Sequence, residues 1–255
     1  MKPDYLARHR AHDYPHLIKR WRLLARRAGL IMRRLVAGPE FNLYTVRSPR
    51  LPREGAIYIS AGIHGDEPAG TEALITWAEK NTRLLRRHPF LLVPCINPWG
   101  LVNNSRTDSR KRDLNRSFQD DAIPEIAALK RAVQGRRYSL ALTLHEDYDA
   151  PGIYIYEIPG ATPFWGEALL EAARPHLPAD WREIIETREA AGGLVRPVVV
   201  DMKIFEQIGL PEAVYLHLQG CPRVFTIETP SEYGLDRRVR AHVAVLEECL
   251  RRVGH

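Results

Sequence analysis

The sequence predicts an α/β protein built as a three-layer α/β/α sandwich. Apolar or β-branched runs alternate along the chain with segments of helical spacing. Several of these runs are almost continuously hydrophobic, which is typical of central strands covered on both faces. With 255 residues and 45% hydrophobic side chains, the chain can bury a large core. Because no low-complexity linker or internal repeat divides it, we expect one domain over residues 1–255.

The N-terminal segment, residues 1–37, predicts a basic helical lead-in. It holds ten Lys or Arg against two Asp, whereas the rest of the chain holds 27 basic and 29 acidic side chains. Pro15 suits the first turn of a helix that runs toward Val36. Six apolar residues follow helical spacing: Leu17, Ile18, Trp21, Leu24, Ala25 and Ala28. We therefore interpret the segment as an amphipathic helix with a solvated arginine face, and a nucleic-acid-binding arm is the alternative.

The remaining elements follow in order. The predicted strands are the apolar runs at residues 41–46, 56–63, 90–96, 140–144, 153–158, 214–218 and 224–227. The predicted helices lie between or after them, at residues 68–85, 123–133, 164–176 and 236–253.

The sequence shows neither a membrane-spanning stretch nor a secretory signal. No apolar stretch approaches the roughly 18–20 residues that span a bilayer. The N-terminal residues also lack the apolar core of a secretory signal, so we expect a cytoplasmic protein with no membrane partner.

Cys95, Cys221 and Cys249 form no Cys-x-x-Cys pair, so any metal site must use histidine and carboxylate ligands.

Polar clusters follow four of the predicted strands, where functional groups gather in open α/β sheets. They are His-Gly-Asp-Glu from His64, Asn-Pro-Trp-Gly from Asn97, His-Glu-Asp from His145 and Glu-Thr-Pro from Glu228. A spacing of three residues brings His64 and Glu67 toward one point on a first helical turn. With His145 they would make a site of two histidines and one carboxylate that leaves a position open for water, as in catalytic zinc centres.

Glu228 is the candidate general base. A carboxylate that ends an apolar strand is costly unless it faces a cleft, a cation or a catalytic water. Near a metal it can take a proton from a metal-activated water and return it to the leaving amine. A structural ion pair with an arginine is the alternative.

The loop between the second and third clusters supplies groups that bind anions. Arg116 can clamp a substrate carboxylate through two parallel hydrogen bonds, and Asn115 can add another. Arg106 can stabilise the oxyanion that develops during attack. Asp113 can accept a hydrogen bond from the outer nitrogen of a metal-bound histidine. A solvated basic loop is the alternative.

This ordered set of motifs resembles the zinc metallocarboxypeptidases of the carboxypeptidase A type. It is also similar to the murein-peptide amidases and to the branch of aspartoacylase and succinylglutamate desuccinylase, and the resemblance covers about residues 41–253. It implies a mixed, roughly eight-stranded sheet between helices and one zinc ion per chain. The roles that it implies are zinc ligation by His64, Glu67 and His145, general base catalysis by Glu228, transition-state stabilisation by Arg106, carboxylate binding by Asn115 and Arg116, and support of His64 by Asp113.

The resemblance implies a hydrolase that cleaves an amide bond next to a free carboxylate. Only residues 231–255 follow the Glu228 motif, whereas the aspartoacylase branch carries a further β-rich domain there. We therefore expect a metallocarboxypeptidase acting on short peptides, with an N-acyl amino acid deacylase as the alternative. Tyr215 and Tyr233 are both candidates for a tyrosine that caps the substrate.

The sequence beside His145 is unusually acidic. Glu146, Asp147 or Asp149 is a candidate to recognise a substrate ammonium group, and a carboxylate turned to solvent is the alternative for each.

Overall fold

The computed structural model describes residues 10–197 and 200–253, which form a mixed sheet with helices on both faces. The strands are β1 Ile31–Val36, β2 Leu43–Arg47, β3 Glu54–Ala61, β4 Phe90–Val93, β5 Arg137–Asp147, β6 Tyr154–Ile158, β7 Ile184–Ile185, β8 Arg188–Ala191, β9 Leu194–Val195 and β10 Val224–Pro230. The helices are α1 Tyr14–Ala28, α2 Pro68–Lys80, α3 Thr82–Arg87, α4 Pro98–Asn103, α5 Pro124–Val133, α6 Gly166–Ala173, α7 Met202–Ile208, α8 Glu212–Leu218 and α9 Leu235–Val253.

The described strands pair in the order β1-β2-β4-β3-β5-β10-β6-β9-β8-β7. The four central strands, β4, β3, β5 and β10, run parallel, and antiparallel β2 and β6 flank them. Because the carboxyl ends of parallel strands meet at one edge of a sheet, the segments that follow β3, β4, β5 and β10 come together there.

Two hydrophobic cores lie on opposite faces of the sheet. On the first face, α1, α2, α6 and α9 pack against side chains such as Leu144 and Ile227. On the second face, α5, α7 and α8 pack against the alternate side chains, such as Ala141 and Val224. This alternation is the period of two of a β-strand buried on both faces. The predicted α/β/α class is confirmed, and the described residues form ten strands where the resemblance implied about eight.

Helix α1 confirms the predicted amphipathic helix but ends earlier than expected. All six of the predicted apolar residues are buried, and Pro15 lies in the first turn. The helix stops at Ala28 because Gly29 adopts a left-handed conformation with a φ of 68°. The expected continuation toward Val36 is wrong, since those residues form strand β1.

Helix α1 is also held to α2 by charge. The Arg20 guanidinium donates to Glu72 at 2.8 Å and to Glu79 at 3.0 and 2.8 Å.

Two other sequence predictions are corrected by the structure. Residues 214–218 were expected to form a strand, but they belong to helix α8, which begins after Pro211. A short apolar run cannot be assigned to a strand or a buried helix by periodicity alone, and proline favours a helix start. The predicted helix over residues 68–85 is two helices, α2 and α3, separated at Asn81.

No helix within the described ranges is both long enough and apolar enough to cross a membrane.

The packing of α1 predicts the effect of a core substitution. We expect Trp21→Ala to lower the free energy of unfolding by about 3–5 kcal/mol, because it removes a large side chain and leaves a cavity. Trp21 is 0% exposed, whereas Leu23 of the same helix is 47% exposed and serves as a matched control. Leu23→Ala should change the free energy of unfolding by no more than about 0.5 kcal/mol. Urea denaturation measures both variants, and equal losses would contradict the packing of α1 on the sheet.

Candidate metal centre

His64, Glu67 and His145 converge at the carboxyl edge of the central strands. His64 follows β3, Glu67 precedes the first residue of α2, and His145 lies near the end of β5. All three are buried, and each offers a ligand atom within 4.8 Å of the others. The two oxygens of Glu67 face one imidazole each, with Oε1 2.5 Å from His64 Nδ1 and Oε2 3.0 Å from His145 Nδ1. The three residues therefore form one compact cluster, the donor cluster.

A close backbone contact positions the segment that carries His64. A Cβ atom on Gly65 would lie 1.8 Å from the carbonyl carbon of Gly100, so only glycine fits there. The Gly65 amide donates to the carbonyl of Ser105 at 3.0 Å. The Asn97 side chain accepts from the Gly100 amide at 2.9 Å and caps α4. The His-Gly and Asn-Pro-Trp-Gly motifs are therefore parts of one backbone arrangement.

Asp113 links the donor cluster to the rest of the basic loop, residues 101–118. Its Oδ1 atom lies 3.3 Å from His64 Nε2 and accepts from the Asn115 amide at 2.9 Å. Its Oδ2 atom accepts from Arg106 Nε and Nη2 at 3.2 and 3.1 Å. The Arg106 guanidinium also approaches the donors themselves, with Nη1 3.6 Å from Glu67 Oε1. The structure thus brings Arg106 and Asp113 to the donor cluster.

The electrostatics of the donor cluster favour a charged Glu67. Burial raises the pKa of Glu67, but His64 and His145 outweigh it and hold that pKa well below the usual range. Burial lowers the pKa of His64, but the Glu67 carboxylate and the hydrogen bond to Asp113 raise it to about 9. A buried, charged Glu67 between two imidazoles can therefore pair with a cation.

Glu228 lies beside His145 on the second face of the sheet. The two residues are in register across β10 and β5, and their neighbours Ile227 and Leu144 point into the first core. Burial raises the pKa of Glu228 well above the usual glutamate value, and Glu67 raises it further against the opposing effect of His145. No ion pair within the described part of the chain includes Glu228, so the structural ion pair considered from the sequence is absent there.

Asn115 and Arg116 form a short 3-10 turn next to Asp113. The Asn115 Oδ1 atom accepts from the backbone amide of Glu212 at 3.0 Å, and Arg116 Nη1 donates to the Asn115 carbonyl at 3.1 Å. The orientation of Asn115 therefore leaves its Nδ2 group, which is a donor, as the end that can meet an anion.

The sequence interpretation missed Glu212, which is 1% exposed. Its carboxylate accepts from the Tyr58 hydroxyl at 2.5 Å and from Ser60 Oγ at 2.8 Å. Burial raises its pKa, although the two hydroxyl groups oppose that effect. The available signal was a glutamate after a proline, which is typical of a helix start, but the apolar run that follows suggested a strand.

The three acidic residues proposed to bind a substrate ammonium group lie in different environments. Glu146 is buried and accepts from the Ala69 amide at 2.6 Å while it pairs with Arg238, so the hypothesis is wrong for Glu146. Asp147 accepts from the Tyr154 hydroxyl at 3.0 Å and from Arg182 at 3.2 Å, so a cation already neutralises it. Asp149 is exposed, as the solvent alternative predicts.

The two candidate capping tyrosines contact other parts of the molecule. Tyr215 packs against Phe118, and the Lys130 ammonium lies over its ring. The Tyr233 hydroxyl donates to the carbonyl of Pro151 at 3.3 Å. These contacts do not include the donor cluster, and the choice between the two tyrosines stays a prediction.

The chain matches a family of known enzymes over its central part. The family model of the succinylglutamate desuccinylase/aspartoacylase catalytic domain matches residues 54–147. This segment contains the donor cluster and the basic loop but not Glu228. Carboxypeptidase D of Rattus norvegicus is 34% identical over 114 residues, which cover 36% of this chain and 8% of that protein. The chain thus spans a small fraction of the length of this relative.

Solved structures extend the similarity to almost the whole chain. A Shewanella denitrificans protein assigned as a metallopeptidase has a TM-score of 0.83 at 21% identity, over 95% of this chain and 91% of that chain. A metallo-carboxypeptidase of Pseudomonas aeruginosa in complex with (2-guanidinoethylmercapto)succinic acid has a TM-score of 0.63 at 21% identity, over 92% and 68%. The predicted resemblance to the metallocarboxypeptidases is confirmed. At these identities the solved structures establish the metallocarboxypeptidase fold, and the prediction of a hydrolase agrees with all of these matches.

Proposed function

We propose that this protein is a zinc-dependent hydrolase that cleaves an amide bond next to a free carboxylate, as a metallocarboxypeptidase acting on short peptides. The observation that carries the proposal is the convergence of His64 Nδ1, His145 Nδ1 and both Glu67 oxygens on one buried point. We also propose that residues 1–255 form one catalytic domain, because the sheet and both helical layers draw on the described residues from Tyr14 to Val253.

The donor cluster fits zinc. Two imidazole nitrogens and one carboxylate are the ligand set of catalytic zinc sites that keep an open position. Asp113 holds the outer nitrogen of His64, Nε2, which fixes the ring with Nδ1 facing Glu67. When bound, zinc supplies Lewis-acid polarisation of the scissile carbonyl and acidification of water near neutral pH. His64, Glu67 and His145 would hold the ion.

In this mechanism Glu228 is the general base and then the general acid. Its carboxylate accepts a proton from the attacking water and then donates it to the leaving nitrogen. Burial raises the pKa of Glu228 above the usual glutamate value, which is the direction expected of a general acid–base group.

Arg106 and the Asn115–Arg116 turn bind the negative charges of the substrate. The Arg106 guanidinium already lies beside the donors, so it can donate to the oxyanion that develops on the carbonyl oxygen. The Nδ2 group of Asn115 and the guanidinium of Arg116 are the donors for the substrate carboxylate. That carboxylate then fixes which amide bond reaches Glu228.

The carboxylate clamp predicts a selective loss in Arg116→Ala. We expect kcat/KM to fall by about 10- to 100-fold on peptides with a free carboxyl terminus, as a hydrogen bond to a charged group contributes about 1.5–3 kcal/mol. The kcat/KM of the variant on amidated peptides should change little. Arg110→Ala is the matched control, because Arg110 is an exposed arginine of the same loop. Equal losses on free and amidated substrates would contradict the clamp.

An N-acyl amino acid deacylase is the second candidate function, and the match to the succinylglutamate desuccinylase/aspartoacylase catalytic domain favours it. Both functions need the same metal, base and carboxylate clamp. They differ in the group on the other side of the amide bond, which is a peptide in one case and a small acyl group in the other.

Mass spectrometry of a substrate pool tests the proposal. The pool contains short peptides, their amidated forms and N-acyl amino acids, and it is incubated with and without a chelator. Chelator-sensitive release of carboxy-terminal residues supports the peptidase, and chelator-sensitive cleavage of acyl amino acids alone supports the deacylase. Hydrolysis that the chelator leaves unchanged would contradict both.

A further inference from the structure

Glu146 is a buried carboxylate on the opposite face of strand β5 from His145. Side chains alternate along β5, so His145 points to the second face and Glu146 to the first, where α2 and α9 pack. Glu146 is only 4% exposed. A carboxylate in such a place is costly unless partners hold it.

The first partner of Glu146 is the beginning of helix α2. The Ala69 amide donates to Glu146 Oε1 at 2.6 Å, and Ala69 lies two residues after Glu67. One carboxylate therefore ties the strand that carries His145 to the helix start that carries Glu67. A negative charge at this position is also favourable because it faces the positive end of the helix dipole.

The second partner is Arg238 of helix α9. Its Nη1 atom donates to Glu146 Oε2, and Arg238 is itself 8% exposed. One turn later, His242 Nε2 lies 3.0 Å from Thr229 Oγ1, beside Glu228 in strand β10. Helix α9 thus contacts the ends of both strands, β5 with His145 and β10 with Glu228.

We propose that Glu146 and Arg238 are positioning residues of the metal centre, which set the separation between Glu67 and His145 and so tune metal affinity. This inference rests on the proposed zinc site. Neither side chain touches the metal or the substrate. Without Glu146, the start of α2 can move relative to β5, and the three ligands no longer converge at zinc-ligand distances.

The test compares Glu146→Leu with Glu157→Leu. Glu157 is a matched control, because it is also buried, accepts the Trp165 and Gly166 amides at a helix start, and pairs with Arg196. The readouts are the zinc dissociation constant from competition with a fluorescent chelator, the absorption spectrum of the Co²⁺-loaded protein, and the free energy of unfolding of the metal-free protein.

We expect Glu146→Leu to weaken zinc affinity by about 10- to 100-fold and to alter the Co²⁺ spectrum, as loss of groups that orient metal ligands usually does. Glu157→Leu should keep the wild-type zinc affinity, although it also loses stability. Glu146→Gln, which retains an oxygen for the Ala69 amide but not the charge, should fall between Glu146→Leu and the wild type.

A double variant separates positioning from stability. Replacing both members of a buried ion pair by apolar residues is often neutral for stability, so Glu146→Leu with Arg238→Met should recover stability. Its zinc affinity should stay weak, because the link to Ala69 is still missing. Wild-type zinc affinity in the double variant, in Glu146→Leu or in Glu146→Gln would overturn the positioning role. A wild-type protein that binds no zinc would instead overturn the proposed metal centre.

Discussion

Glu228→Gln is expected to lower kcat by about 10²- to 10⁴-fold, the usual contribution of a general acid–base group. The amide of glutamine has nearly the same shape but cannot accept the proton of the attacking water. Glu228 is not among the donor cluster, so the variant should bind zinc as tightly as the wild type. Steady-state kinetics and zinc titration of the same preparation measure the two quantities.

Glu186→Gln is the control for a change of charge near Glu228. Glu186 belongs to the groups that raise the pKa of Glu228, and its carboxylate accepts from the Tyr156 hydroxyl at 2.8 Å. Its replacement should leave kcat close to the wild-type value. Loss of zinc from Glu228→Gln would show that Glu228 is a ligand, and an unchanged kcat would remove it from the mechanism.

His145→Ala is expected to abolish zinc binding and hydrolysis together, because it leaves only two of the three ligands. A ligand that binds only the folded state at 100 times its dissociation constant raises the free energy of unfolding by about 2.7 kcal/mol. The wild type should show this increase in zinc, and His145→Ala should not. Thermal or urea unfolding with and without zinc provides the measurement.

His176→Ala is the matched control for His145→Ala. His176 is half-buried near the end of α6 and does not belong to the donor cluster. It should keep the full stabilisation by zinc. If His145→Ala is stabilised as much as the wild type, the metal does not bind where we propose.

The sequence predicted the central strands well, because each is a nearly continuous apolar run that ends in a polar cluster. The prediction failed where a short apolar run suits a strand and a buried helix equally well. Residues 214–218 form part of a helix, since Pro211 and Glu212 start one there. The end of α1 was also misplaced, because the left-handed turn at Gly29 stops the helix before the basic stretch continues as strand β1.

The donor cluster was predictable because its members belong to linear motifs at strand ends. The residues that position the cluster and its neighbours were not predictable, because each lies far in sequence from the residue that it contacts. Arg238 is 92 residues from Glu146, and the backbone of Glu212 is 97 residues from the Asn115 side chain that it orients. The position of Glu146 did carry a usable signal, since the period of two in a strand places neighbours of His145 on the other face.

Metal reconstitution measures whether zinc bound at the donor cluster is required for hydrolysis. The protein is stripped with a chelator, titrated with zinc, and assayed for release of carboxy-terminal residues or amino acids from the substrate pool. We expect no hydrolysis by the stripped protein and recovery in proportion to zinc, with saturation at one ion per chain and no recovery in His145→Ala. Full hydrolysis by the stripped protein, or recovery in His145→Ala equal to the wild type, would contradict this requirement for zinc.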